Sequence, residues 1–205
     1  MQKISKGREE KWKSLMKQSL HQAAVKVLAE KGPAGLTMDR VARVAGIAKG
    51  TLYNYFKNKE DFLRYVERAS FEPLEQEVDR ILGSKRPPER KLQEFVMSSL
   101  GFFDSNRDFL RVFFDPELSG RRLNSEARSR HLRLIKKVGL VFEEGIGAGR
   151  FKPLDPMKLG AMFVMACWAM LMGRLRMEGK NPVEDDTGLI VEVFFRGIRT
   201  AGGRE

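Results

Sequence analysis

Thirty-eight lysines and arginines against 27 aspartates and glutamates give this 205-residue chain a formal net charge of +11. With 42% hydrophobic residues, wholesale disorder is excluded, and the length allows one or two domains with a substantial core. One cysteine and two histidines exclude an internal disulfide and a Cys/His zinc site, so neither metal nor cofactor is expected. The basic excess suggests a polyanionic partner. It is concentrated at one end: residues 1–68 hold 15 basic and 7 acidic residues, a net of +8, and residues 69–205 hold 23 and 20, a net of +3. Charge alone does not separate a phosphate-binding face from a solvated lysine-rich one. Residues 1–17 alternate Lys, Arg, Glu and Ser without the apolar core of a signal peptide. The richest apolar stretch, Gly160 to Gly173, falls short of the roughly 18–20 residues of a membrane span. A cytoplasmic chain with no membrane partner is the expectation.

In chain order, Trp12, Met16, Leu20, Ala23, Ala24, Val27 and Leu28 recur at three- and four-residue steps, predicting an amphipathic helix that stops near Lys31-Gly32-Pro33. Thr37 is an N-cap before Met38, with the acid Asp39 in the first turn. Asn58-Lys59-Glu60-Asp61 caps a helix whose inner face is Phe62, Tyr65, Val66 and Ala69, and which runs on past Pro73 to Ile81. Gly83 to Pro88 is a break. Leu92 to Phe103, a shorter segment around Phe109 to Phe114, Asn124 to Ile146, Asp155 to Glu178 and Glu184 to Ile198 each keep the helical period. With no convincing strand, repeat or low-complexity tract, the fold class is all-α, about nine helices. The Gly145-Ile146-Gly147-Ala148-Gly149 run ends a helix, where a dinucleotide fingerprint would open one, so it reads as helix termination.

The segment Thr37 to Phe56 is the most informative. Two short helices, about 38–44 and 48–54, are separated by Ala45-Gly46-Ile47, the spacing of a helix-turn-helix. Val41 and Ile47 can face inward, Ala42 allows close approach, Gly46 supplies a left-handed turn residue, and Leu52 anchors the second helix. The outward remainder is Lys49, Thr51, Tyr53 and Asn54, hydrogen-bonding groups suited to a major groove, where a structural hairpin would expose Glu/Lys pairs.

These residues, with Ala29-Glu30-Lys31-Gly32, Leu36-Thr37-Met38, Lys49-Gly50-Thr51-Leu52-Tyr53-Asn54-Tyr55-Phe56 and Lys59-Glu60-Asp61-Phe62, resemble the tetracycline-repressor (TetR) family of bacterial transcription regulators over roughly residues 15–65. The resemblance implies a DNA-binding domain at 1–68, with three helices and the helix-turn-helix, and a helical ligand-binding and dimerisation domain at 69–205. It implies that Thr37 caps the first motif helix and meets a phosphate. Lys49, Thr51 and Asn54 would face the groove or its walls, and Gly50 would let the backbone approach. Tyr53, Tyr55 and Lys59 would contact phosphates. Ala48 and Tyr55 depart from the commonest pattern, where Ser or Thr and His stand.

The helix from Asp155 is apolar nearly all round, so it needs cover on two sides. The resemblance implies that the last two helices pair with their copies in a twofold homodimer; Leu171, Leu175, Ile190, Phe194, Phe195 and Ile198 are the expected contacts. Ten Met and fourteen Phe can line an adaptable cavity or fill an ordinary core. The candidates for a small, largely apolar or amphipathic effector are Phe103, Phe109, Phe113, His131, Phe142, Met162, Met165 and Trp168, although a buried core histidine is the favoured reading of His131. Arg174 and Arg176, at the end of an apolar helix, are expected to be solvated, with attraction of an anionic ligand as the alternative. No paired carboxylates, nucleophile elbow or metal spacing points to an enzyme. The expected function is a homodimeric repressor on a palindromic double-stranded operator, released by its ligand. A constitutive DNA binder and a carrier of lipophilic molecules are the alternatives.

Overall fold

The computed structural model describes residues 2–32, 35–107, 109–110, 125–176 and 181–198. Among them lie eight helices and no strand: α1 (Gln2–Lys31), α2 (Met38–Val44), α3 (Lys49–Tyr53), α4 (Lys59–Leu82), α5 (Pro88–Ser105), α6 (Ser125–Gly147), α7 (Pro156–Arg176) and α8 (Val183–Ile198). The expected segment around Phe109 to Phe114 lies mostly outside the described residues, and Phe113 with it. Two compact units divide the chain. One holds residues 1–73 with Phe109 and Leu110; the other begins at Leu74 and includes α5 to α8. The division falls inside α4, beside Pro73. A proline there has no N–H to give the carbonyl one turn back, so the backbone ladder is interrupted where the units meet in sequence.

In the first unit, α1 buries Leu20, Ala23, Ala24, Val27 and Leu28, all on one stripe. It packs on α2. Leu36, Met38, Val41, Ala42, Leu52, Phe56, Phe62 and Val66 complete the buried set. Phe56 closes it through ring contacts with Phe62, edge-on at 5.0 Å, and with Tyr65 at 5.1 Å.

The second unit is built around Phe163 of α7. Its ring meets Phe95 of α5 at 6.2 Å, Phe142 of α6 at 5.6 Å and Phe194 of α8 at 4.9 Å. Helices α6 and α7 approach closely because Gly160 faces Gly139. A Cβ at Gly160 would lie 2.8 Å from the Ile135 carbonyl and the Gly139 nitrogen. The end of α6 is the helix termination expected from the glycine run, with Gly149 in the left-handed region at φ 68°. By length and composition α7 could cross a membrane, with a mean hydropathy of 1.4 over its most apolar window. In this unit it instead buries Leu159, Phe163, Val164, Cys167, Leu171 and Leu175 among protein side chains. Burial pushes the Cys167 thiol up to about 12, which leaves it protonated and unreactive.

Arg174 corrects the solvated reading. Its side chain is 10% exposed and pairs with Asp104 of α5 and Asp186 of α8, and it donates to the Asn181 carbonyl at 2.9 Å. Three segments converge on one guanidinium, whose five fixed donors suit such a junction. Arg176 is exposed.

Candidate nucleic-acid interface

The turn between α2 and α3 is set by backbone geometry. Gly46 adopts φ 70°, and its N–H donates to the Arg43 carbonyl at 3.2 Å. Ile47 N–H then donates to the Ala42 carbonyl at 3.0 Å, which folds α3 back across α2. A residue with a Cβ would be strained at position 46. Val41 and Leu52 are wholly buried on either side of the turn, and Ile47 is half-buried. Thr37 caps α2 as expected: extended at φ −121°, its Oγ1 accepts from Arg40 N–H at 3.2 Å. Arg40 in turn donates to the Gly35 carbonyl, tying the preceding loop to α2. Ala48 opens α3 with no side-chain cap.

Because Leu52 points in, the rest of α3 points out. Lys49, Gly50, Tyr53 and Asn54 are exposed, and Thr51 and Tyr55 are half-buried. A Cβ on Gly50 would meet nothing within 4 Å, so an approaching backbone or phosphate finds open space there. Lys49 has a partner that the pattern of outward residues did not reveal. Its Nζ lies 2.7 Å from Asp39 of α2, and the Asp39 hydrogen bond holds the ammonium above the usual lysine range. The pair is well exposed, so Lys49 stays charged and a phosphate can compete for it. Asp39 lies in the first turn of α2, where the sequence alone marks it as a first-turn acid.

Lys59, half-buried, begins α4. The helix start is fixed by Asn58 Oδ1, which accepts from Asp61 N–H at 2.8 Å, and by Asp61 Oδ2, which accepts from Lys57 N–H at 3.1 Å. That backbone hydrogen bond from Lys57 holds the Asp61 carboxyl below its ordinary value, with Arg64 3.3 Å away. Thus all eight residues expected at DNA are described and lie in the first unit: Thr37, Lys49, Gly50, Tyr53 and Asn54 are exposed, and Thr51, Tyr55 and Lys59 half-buried.

The candidates in the second unit are distributed differently from the expectation. Met162 and Met165 are 61% and 49% exposed, so they face outward and line no interior space in the isolated chain. Leu171, Leu175, Ile190, Phe195 and Ile198, expected at the dimer contact, are buried in the unit's own core; Phe194 is half-buried. Helix packing explains the exchange. The Gly160 contact presses one stripe of α7 on α6, and Arg174 turns the helix end toward α5 and α8, which leaves the Met162–Met165 side free. Phe142 is fully buried between Phe151 and Phe163. Phe103 is buried edge-on to half-buried Trp168 at 6.3 Å, and His131 is half-buried. Phe109 is buried in the first unit, apart from the other ligand candidates in grouping. An open apolar groove of about 400 Å³ lies between α7 and α8, lined by Ala166, Ala169, Met170, Leu189, Ile190, Val193 and Phe194.

Residues 20–66 match the family model for bacterial regulatory proteins of the tetR family. The chain is similar to the HTH-type transcriptional regulator YhgD of Bacillus subtilis, 25% identical over 68% of this chain and 74% of that one. It is likewise similar to the HTH-type transcriptional repressor DhaR of Mycobacterium sp., 26% identical over 88% and 92%. Among solved structures, the SmeT–triclosan complex shares the fold at a TM-score of 0.75 and 18% identity, over 93% of this chain and 95% of that one. With its helix-turn-helix in place, residues 20–66 carry the DNA-binding domain of the bacterial regulatory proteins of the tetR family.

Proposed function

We propose that this regulator is a cytoplasmic homodimeric repressor that binds a palindromic operator through the major groove and is released by a small, largely apolar ligand. The observation that carries the DNA contact is the outward set of α3: Lys49, Gly50, Tyr53 and Asn54 exposed on a helix pinned by a wholly buried Leu52. Lysine and asparagine can donate to base edges, tyrosine to phosphates. Thr37, Thr51, Tyr55 and Lys59 complete the contact on either side. The DNA-binding role belongs to the first unit, and effector binding with dimerisation to the second.

The dimer reading is supported by apolar side chains left in water on α7 and α8: Met162, Met165, Leu189 and Val193 are 61%, 49%, 53% and 62% exposed. Leu189 and Val193 also line the open apolar groove between the two helices, and exposed apolar surface of this kind marks an association site. A second copy places two α3 helices on two half-sites related by a twofold axis. Repression is supported by the name of the relative DhaR, and an apolar effector by the triclosan bound to a protein of the same fold. Phe103, Trp168 and His131 are the residues of this chain proposed to meet it. The ligand weakens DNA binding only by its differential affinity for two conformations, about 1–3 kcal/mol.

Selection of bound duplexes from random DNA tests the reading directly. The expected result is a twofold-symmetric consensus, with Lys49→Ala and Tyr53→Ala each lowering affinity for it about 10- to 100-fold while the dimer persists. Normal binding by both variants would remove α3 from the interface. Release of the selected duplex by an apolar panel that includes triclosan tests the effector; unchanged affinity across the panel favours a regulator without one.

A further inference from the structure

Helix α1 is much longer than the core it supplies. Its backbone is helical from Gln2, yet its first buried residue is Leu20. Before that, Arg8, Glu10, Lys11 and Lys13 are exposed, and Trp12 and Leu15 stand 61% and 52% exposed. Burial within the unit therefore gives no reason for these first turns, and an isolated helix of that length is marginal in water.

Two contacts fix where those turns lead. Lys17 Nζ sits 5.8 Å over the Tyr65 ring, and His21 Nε2 lies 2.7 Å from Ser70 Oγ. Positions on α1 and α4 rise together, so the two helices run parallel here at offsets of 48 and 49 residues. Carried back along both helices, this register sets Lys59, the first residue of α4, level with Glu10 and Lys11. Residues 2–9 of α1 then extend past the start of α4 by about 12 Å at 1.5 Å per residue. The start of α4 follows α3 after the five residues Asn54 to Asn58, of which Phe56 is buried. The extension thus leaves the unit at the end of α4 that adjoins α3 in the chain. Over residues 1–17 the sequence has six basic and two acidic residues.

We infer that the first four turns of α1 are a second DNA-binding element. Arg8 and Lys11, one turn apart on the same side and followed by the exposed Trp12, contact phosphates that flank the half-site read by α3. Charge complementarity and continuity with the α3 surface point to DNA as the occupant. The inference rests on α3 being the DNA face, and it lengthens the contacted site beyond what the helix-turn-helix spans.

The test uses the full chain and the duplex recovered by selection, in a form trimmed to the consensus and a form with about half a helical turn added at each end. The double variant Arg8→Ala/Lys11→Ala is expected to bind the longer duplex about tenfold more weakly at 0.15 M salt. Its slope of log affinity against log salt should fall by about two per arm, near 0.9 per phosphate lost. On the trimmed duplex it should match the wild type, and Arg8→Lys/Lys11→Arg should keep the wild-type slope. Lys49→Ala/Tyr53→Ala separates the two levels: if that variant binds normally, the α3 reading itself fails. If it loses binding while Arg8→Ala/Lys11→Ala keeps the wild-type slope and footprint, only the arm is overturned. Loss of binding to phosphatidylglycerol vesicles by the arm variant, with DNA binding unchanged, would also overturn it.

Discussion

The two units turn opposite chemistries outward. In the first, short helices bury single anchors such as Val41 and Leu52 and present Lys49, Tyr53 and Asn54 to solvent. In the second, long helices bury aromatic rings around Phe163 and still leave Met162, Met165, Leu189 and Val193 in water. A polar outer face matches a hydrated, charged partner, and an apolar one matches a surface that excludes water. In the function proposed above, each unit's surface matches the class of its partner, and its core holds that surface in place. Substitutions that exchange the two chemistries should separate DNA binding from assembly.

The largest effect is expected where a charge is put on the apolar face. Val193→Arg places a guanidinium where its twofold copy brings another, and a buried unpaired charge costs about 4 kcal/mol, roughly a thousandfold in dimer dissociation. Sedimentation against concentration reads it. The monomer should remain folded, since Val193 is 62% exposed, and should lose the selected palindrome through lost pairing of half-sites. An unchanged dimer would move the interface away from α8.

Gly160→Val acts on the core of the second unit. Its Cβ would meet backbone atoms of α6 at 2.8 Å, and backbone cannot rotate aside as a side chain can. Destabilisation of about 3 kcal/mol in that unit is expected, read by urea unfolding followed at Trp168. Lys49 and Tyr53 lie in the other unit, so half-site contacts should survive below the transition. Asn58→Ala is the counterpart in the first unit. It removes the acceptor for Asp61 N–H and should cost about 1 kcal/mol, with a matching loss of α4's first turn by hydrogen exchange.

The contrast between units also explains what could be read from the chain alone. The helix-turn-helix was legible because its determinants are local: Thr37 to cap, Gly46 to turn, Leu52 to anchor, all within 16 residues of one another. The all-α class followed from apolar periodicity in the same way. Orientation in the second unit was not legible. An apolar stripe all round α7 carries no polar face to mark which side meets solvent, so the pattern does not say that Met162 and Met165 stand exposed in the isolated chain while Leu171 is buried. The Gly139–Gly160 approach, the rings around Phe163 and the Arg174 junction set that rotation, and all three depend on residues on other helices. Arg174 looked solvated for the same reason, since Asp104 lies 70 residues away. Lys49 was assigned to DNA without its Asp39 partner, because a charge on each of two crossing helices becomes a pair only once the turn brings them together.

The smallest expected effect concerns the joint between α1 and α4. His21 lies half-buried with Nε2 2.7 Å from Ser70 Oγ, and burial lowers its pKa below the ordinary 6.5. In the unfolded chain the imidazole takes up its proton near 6.5, and in the folded unit only at lower pH. Between those values the unfolded state binds more protons, so stability falls as pH drops below 6.5 and levels off beneath the folded pKa. His21→Gln keeps a hydrogen-bonding side chain at Ser70 and has no proton to gain. Urea unfolding of the first unit at pH 7.5 and 5.5 should show a loss in the wild type that the variant lacks. An equal loss in both would assign the pH dependence to other groups, and the α1–α4 joint would then hold the same register across that range.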